Sequence, residues 1–282
     1  MEILKNIEIE GRHGKPIFAD AFYKESRESK PVIIFSHGFK GFKDWGAYNL
    51  LAQYFASKKF VFIKFDFSHN AVSREKPGEF DNLEAFGNNN FEIEMDDLGA
   101  VIDWAVETPL VPEHQKNTGE IYLIGHSRGG GISILKAAED KRVKKLVTWA
   151  SVNDFAANWD DSLVEKWKKD GVLWVMNTRT QQKMPLYYQL YENYMLHKDR
   201  FTIRQAVEKL TIPFLVIQGT EDQSVSMDVA LEMKRWNQRI KLDLLPNADH
   251  TFSVKHPYNT LNLPFDAQIA WEHTLEFLKK TD

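Results

Sequence analysis

Gly125-His126-Ser127-Arg128-Gly129 sets a serine between two glycines, directly after the apolar run Ile121–Ile124 and ahead of a helical stretch from Ile132 to Ala138. Strand, sharp turn and helix follow one another. A serine at the apex of so tight a turn takes a strained backbone, and strand and helix approach closely there, so glycine is needed two positions to either side. Such a turn lifts the Ser127 hydroxyl clear of the sheet and aims the Arg128 amide at the same point. The chemistry is nucleophilic attack, and a serine hydroxyl performs it only with a general base, normally histidine, and a carboxylate that fixes the histidine tautomer. Asp222 lies in the loop Gln218–Val225 after the apolar run Phe214–Ile217, where open parallel sheets build their sites. His250 lies in Pro246–Phe252, after a further strand pattern. The order Ser127, Asp222, His250 thus takes one group from each of three strand-end loops. Glu221 and Asp154 compete for the carboxylate role. A fourth loop, His37-Gly38-Phe39-Lys40-Gly41, lets the Phe39 amide turn toward the Arg128 amide as a pair of oxyanion donors; losing one such donor costs about 2.7–4 kcal/mol of transition-state stabilisation. His37 and His126 flank the site and are expected to brace its turns rather than act as bases.

These loops need a parallel sheet beneath them. Val32–Phe35, Phe60–Phe65, Ile121–Ile124, Leu146–Trp149 and Phe214–Ile217 are apolar runs of strands buried on both faces. Ile240 to Leu245 alternates with polar residues and belongs toward an edge. The opening, through Ile7, Ile9, a Gly11–Pro16 turn and a second strand ending near Tyr23, reads as a peripheral antiparallel hairpin. Phe91, Met95, Leu98, Ile102 and Ala105, and Ala267 to Leu278, recur at helical spacing. Strands alternating with helices make an α/β fold, a mostly parallel twisted sheet with helices on both faces. From Phe155 to Arg204 no buried run occurs, but nine aromatics do. The domain organisation expected is therefore a core from 1–154, a cap insertion over 155–204 and a second core part over 205–282. Within the insertion, Gly171–Asn177 is a short strand and Leu186 to Leu196 a short helix, while Lys166-Trp167-Lys168-Lys169 is a solvated helix face. Trp159, Trp174 and Tyr187 are its candidate substrate contacts.

Composition narrows the chemistry further. The 282 residues carry 36 Lys+Arg against 40 Asp+Glu, a net charge of −4, and no Cys. Disulfides, thiolate metal sites and a cysteine nucleophile are excluded. No basic run marks a nucleic-acid partner and no apolar stretch suits a membrane. The charged opening residues show no signal-peptide core, so a cytoplasmic location is expected. No metal or cofactor is called for.

The His37-Gly38-Phe39 turn, Gly125-His126-Ser127-Arg128-Gly129, the Gly219-x-x-Asp222-x-x-Val225 loop and His250, in that order, resemble the α/β-hydrolase superfamily from roughly Pro31 onward. The inserted segment and the His37-Gly38-Phe39 turn are similar to those of bacterial feruloyl/cinnamoyl esterases and related esterases. The family spacing favours Asp222 as the acid. Dienelactone hydrolases share the layout but usually use cysteine. One departure is Ser68-His69-Asn70-Ala71-Val72-Ser73, where many relatives carry Gly-x-Gly-x-Ser. The resemblance implies a serine carboxylesterase acting on a small-molecule ester with an apolar or aromatic acyl group. A peptidase or amidase, and a non-catalytic binding module of the same fold, are the alternatives.

Overall fold

A strand that lies in the middle of a layered sheet has no polar side to show, and the five apolar runs become β3 (Lys30–Ser36), β4 (Val61–Asp66), β5 (Lys116–His126), β6 (Val143–Trp149) and β9 (Phe214–Gly219). The computed structural model describes residues 1–280. With the hairpin β1 (Glu2–Ile9) and β2 (Ile17–Tyr23) and the last strand β10 (Lys241–Leu245), they form one sheet in the order β1-β2-β4-β3-β5-β6-β9-β10. All pairings from β4 to β10 are parallel, and β2 joins antiparallel to β4. The alternating strand β10 does end the sheet at one side. At the other side only β1 is an outer strand, whereas β2 is covered and paired on both of its edges.

Alternate residues of each central strand feed two separate cores, because successive side chains point to opposite faces. Val32, Ile34, Leu123 and Val216 pack on one face against α3 (Phe91–Glu107) and α4 (Arg128–Glu139). Ile33, Phe35, Ile124 and Ile217 pack on the other against α1 (Tyr48–Ser57) and α9 (Phe265–Lys279). Short α2 (Leu83–Gly87) precedes α3, and α7 (Ile203–Lys209) and α8 (Met227–Trp236) flank β9. Both long periodic segments are helices as their spacing predicts. Among the described residues, no helix is long and apolar enough to cross a membrane.

Between β6 and α7 the chain builds α5 (Asp161–Asp170), the antiparallel hairpin β7 (Val172–Asn177) and β8 (Gln182–Tyr187), and α6 (Gln189–Leu196). Asp160 caps α5 by accepting from the Leu163 amide at 2.8 Å, and Gly171 ends it at φ 71°, where a side chain would be strained. The lysines of α5 face solvent, but Trp167 is buried and donates from its indole to the Leu186 carbonyl, pinning the helix to the hairpin. Strand β8 has no clear signature in the sequence, since Pro185 and two flanking polar residues interrupt it.

Lys64 breaks the apolar run of β4 and is fully buried. Its ammonium donates to Asp20 and to Asp44, each at 2.6 Å, and Lys43 and Lys5 also reach Asp20. Burial pushes the Asp20 carboxyl up, yet the Lys64 and Lys43 charges outweigh it and hold the group below the usual carboxylate range. The stabilisation this supplies is present at neutral pH and is lost as pH falls through that lowered pKa. Asp20→Ala is expected to cost about 3–5 kcal/mol in urea unfolding, by stranding Lys64, whereas Lys59→Ala at an exposed pair changes it by under about 1 kcal/mol.

Candidate active site

Ser127 sits between β5 and α4 at φ 54°, ψ −122°, a conformation that costs energy in any residue with a side chain. The surrounding backbone imposes it: the Ser127 amide donates to the Trp149 carbonyl at 2.9 Å, and its carbonyl accepts from Gly130 at 2.9 Å. A Cβ on Gly125 would lie 2.4 Å from the Gly129 carbonyl oxygen, and one on Gly129 would lie 2.3 Å from that of His37. Those contacts are the physical reason for both glycines of the motif. The His37–Gly41 turn passes so close that a Cβ on Gly38 would be 3.0 Å from that of Ser127.

The Ser127 hydroxyl is 3.1 Å from His250 Nε2, and His250 Nδ1 is 2.8 Å from Asp222 Oδ2. Because the carboxylate occupies Nδ1, that nitrogen carries the proton and Nε2 is free to accept from the serine. Asp222 is itself fixed: Oδ1 accepts from the Ser224 and Val225 amides at 2.8 and 2.9 Å, and Oδ2 from Gln218 Nε2 at 2.9 Å. Burial raises its pKa, but the hydrogen bond and charge of His250 and the two amides prevail and keep it below the usual range. The loops carrying Asp222 and His250 are locked together, since the Glu221 amide donates to the Ala248 carbonyl and a Cβ on Gly219 would lie 2.2 Å from that same oxygen. Glu221 is exposed, and Asp154 turns to the Ala156 amide, so of the three candidate carboxylates Asp222 is the one bonded to His250.

His126 donates or accepts through Nε2 at the His250 carbonyl, 2.9 Å away, and its ring packs on that of His250. Burial, reinforced by the neighbouring His250, lowers its pKa to about 3; burial likewise lowers that of His37 to about 4. Both stay neutral and brace turns. With His126 neutral, Nε2 carries the proton and donates to that carbonyl. Among the described residues neither the Phe39 nor the Arg128 amide donates a hydrogen bond within the protein. The Arg128 guanidinium lies between the rings of Phe39 and Phe91, 5.0 and 4.7 Å from their centres, and pairs with buried Glu94 at 3.1 Å. It therefore ties both amide-bearing segments to α3. Glu94 and Phe91 lie more than thirty residues upstream, and nothing local to the serine motif announces them.

Two cavities meet at Ser127 and Phe39. One, of about 390 Å³, is apolar and is walled by Phe91, Val152, Phe155 and Trp159 from the core and α5 approach and by Leu173, Val175 and Leu186 from the hairpin. The other, of about 500 Å³, contains His250 and His126 and is closed by the hairpin tip at Asn177-Thr178-Arg179. Of the three aromatics singled out from sequence, Trp159 lines the apolar cavity. Trp174 does not: Leu173 and Val175 face inward, so strand alternation leaves Trp174 on the outer side, 56% exposed. Tyr187 lies elsewhere too, packing over Gly87 and donating to Glu84 at 2.6 Å. In the departing loop, Ala71 takes a left-handed φ of 74° without the help of glycine, and Asn70 bonds Asp66 at 2.8 Å.

Residues 31–189 match the family model described as the alpha/beta hydrolase fold. This chain belongs to the α/β-hydrolase family. An uncharacterized protein of Pseudomonas aeruginosa is 26% identical over 182 residues, 64% of this chain; the chain spans 44% of that relative's length. Among solved structures, Est1E of Butyrivibrio proteoclasticus with ferulic acid bound is similar, with a TM-score of 0.72 at 18% identity over 97% of this chain and all of that one. The α/β hydrolase GrgF of Penicillium sp. sh18 has a TM-score of 0.71 at 18% identity, covering 99% of this chain and 98% of its own. At such identities the likeness establishes the α/β-hydrolase fold.

Since His126 is held neutral well below physiological pH, it contributes no titration between pH of about 5 and 8. His126→Asn is expected to lower kcat/KM by loosening the His250 loop while leaving the midpoint of the acid limb of the pH–rate profile in place; a moved midpoint would show that His126 itself titrates.

Proposed function

We propose that this α/β hydrolase is a serine esterase in which Ser127, His250 and Asp222 act as nucleophile, base and orienting acid. The observation that carries this reading is the continuous chain of hydrogen bonds from the Ser127 hydroxyl through both nitrogens of His250 to a buried, fully partnered carboxylate. Ser127 Oγ attacks the ester carbonyl as His250 Nε2 takes its proton. The Phe39 and Arg128 amides receive the oxyanion, each placed by the close-packed glycines and by the Arg128 side chain. His250 then returns the proton to the departing alkoxide, leaving an acyl-enzyme. Water, deprotonated by the same nitrogen, attacks that intermediate and frees the acid. Asp222, anionic throughout the neutral range, stabilises the imidazolium in both halves.

Residues 155–204 serve as a cap whose hairpin and Trp159 form one wall of the acyl cavity. Its apolar lining, without a charged side chain projecting from the hairpin strands into it, favours an aliphatic or aromatic acyl group. Location in the cytoplasm and a freely diffusing small substrate accord with this reading.

The first test compares an aryl ester and the matching anilide. Ester turnover is expected to fall by about 10⁴-fold or more in Ser127→Ala, with little anilide cleavage in either protein. Preferential anilide cleavage would mark an amidase, and absence of serine-dependent turnover would leave a binding role. Across acetyl, butyryl, octanoyl and feruloyl esters, kcat/KM is expected to rise beyond acetyl, and Val175→Trp, which fills the cavity, is expected to remove that rise. A wild-type preference for acetyl would overturn the acyl assignment.

A further inference from the structure

The two cavities at Ser127 differ in charge as well as polarity. His250, which must hand its proton to the departing oxygen, lines the larger cavity and not the apolar one. The alcohol part of the substrate therefore lies in the larger cavity, an assignment that rests on the esterase reading above. Its wall carries three cationic side chains, Lys40, Arg179 and Lys255, and among the described residues no acidic one. That is opposite to the chain's net charge of −4.

The cations come from three separate segments. Lys40 follows Phe39 in the oxyanion turn, is held at φ 57°, and donates to the Met176 carbonyl at 3.1 Å, which joins this turn to the hairpin. Arg179 sits at the hairpin tip, where the Asn177 side chain accepts from its amide at 3.1 Å. Its guanidinium rests against Phe42 and Phe80, 5.7 Å from each ring centre. Such packing fixes its position before any ligand arrives. Lys255 lies beyond His250 in the same loop region. Among the described residues neither Arg179 nor Lys255 has an acidic partner. Asp44, which acts on His256 in this wall, is already committed to Lys43 and Lys64.

Unpaired cations around a concave site attract an anion more strongly than the same charges on an open surface, because the walls limit screening. We propose that this cavity selects esters whose alcohol portion bears a negatively charged group, a carboxylate or a phosphate, held by Arg179 and Lys255 with Lys40 at the inner end.

The test uses butyrate esters that differ only in the phenol: 4-hydroxybenzoate, 4-hydroxyphenyl phosphate and the uncharged 4-hydroxybenzamide. The proposal predicts kcat/KM about tenfold or more higher for a charged phenol than for the amide, and the better of the two anions distinguishes carboxylate from phosphate. In Arg179→Gln/Lys255→Gln that ratio falls toward one, and raising salt from about 0.05 to 0.5 M shrinks it in the wild-type protein. Arg179→Lys retains part of it. Equal rates on charged and neutral phenols, a ratio untouched by the double variant, or a preference that instead follows a charged acyl group in phenyl succinate would each overturn the proposal while leaving serine esterase activity intact. If none of the esters is turned over, the esterase reading fails, and calorimetric titration of the wild-type protein with free 4-hydroxybenzoate against 4-hydroxybenzamide still decides the charge preference: equal affinity overturns it.

Discussion

The left-handed turn at Ser127 is the constraint on which the rest of the site depends. A residue with a side chain holds φ 54° only where its surroundings leave no alternative. Here β6 fixes the amide through Trp149, α4 starts on the serine carbonyl, and the glycines at 125 and 129 let strand, helix and the His37 turn touch backbone to backbone. The strain is supported by the layered sheet on both sides, whose central strands bury every residue near the turn. In exchange the hydroxyl projects clear of the sheet, toward His250.

A second constraint acts at long range. The loops that carry Asp222 and His250 are not independently placed, because Gly219 admits the Ala248 carbonyl at a distance no other residue would tolerate. A parallel pairing of β9 with β10 brings the two loops to the same sheet end. Sheet register thus becomes side-chain geometry, and the carboxylate–imidazole hydrogen bond is a consequence of backbone packing. The Arg128 side chain does the same for the Phe39 turn and α3, using two aromatic faces and one buried carboxylate.

The hairpin β7–β8 has two functions that follow from its position. Its inward-facing aliphatic residues close the apolar cavity, and its tip brings Arg179 to the other. One inserted element thereby sets the surroundings on both sides of a carbonyl at Ser127. A substrate with unlike ends fits such a division.

The amino-acid sequence by itself determined the sheet, the helices that cover it and the order of the chemical groups. Those depend on local properties: runs apolar on both faces, helical spacing in Phe91–Ala105, and a glycine pattern that only a strained turn needs. It also separated the bracing histidines from the acting one, since His126 and His37 lie inside turns. Only tertiary structure decided which aromatics reach the site. Val172–Asn177 is apolar on both faces, so the sequence could not tell whether Trp174 or its neighbours Leu173 and Val175 point inward; pairing with β8 and packing of α5 chose the latter. Pro185 concealed β8 altogether. The Lys64–Asp20 cluster, the Glu94–Arg128 pair and the convergence of Lys40, Arg179 and Lys255 were illegible for a common reason: each joins residues from distant parts of the chain, and electrostatic and packing contacts of that kind come into being only when the sheet order has brought those parts together.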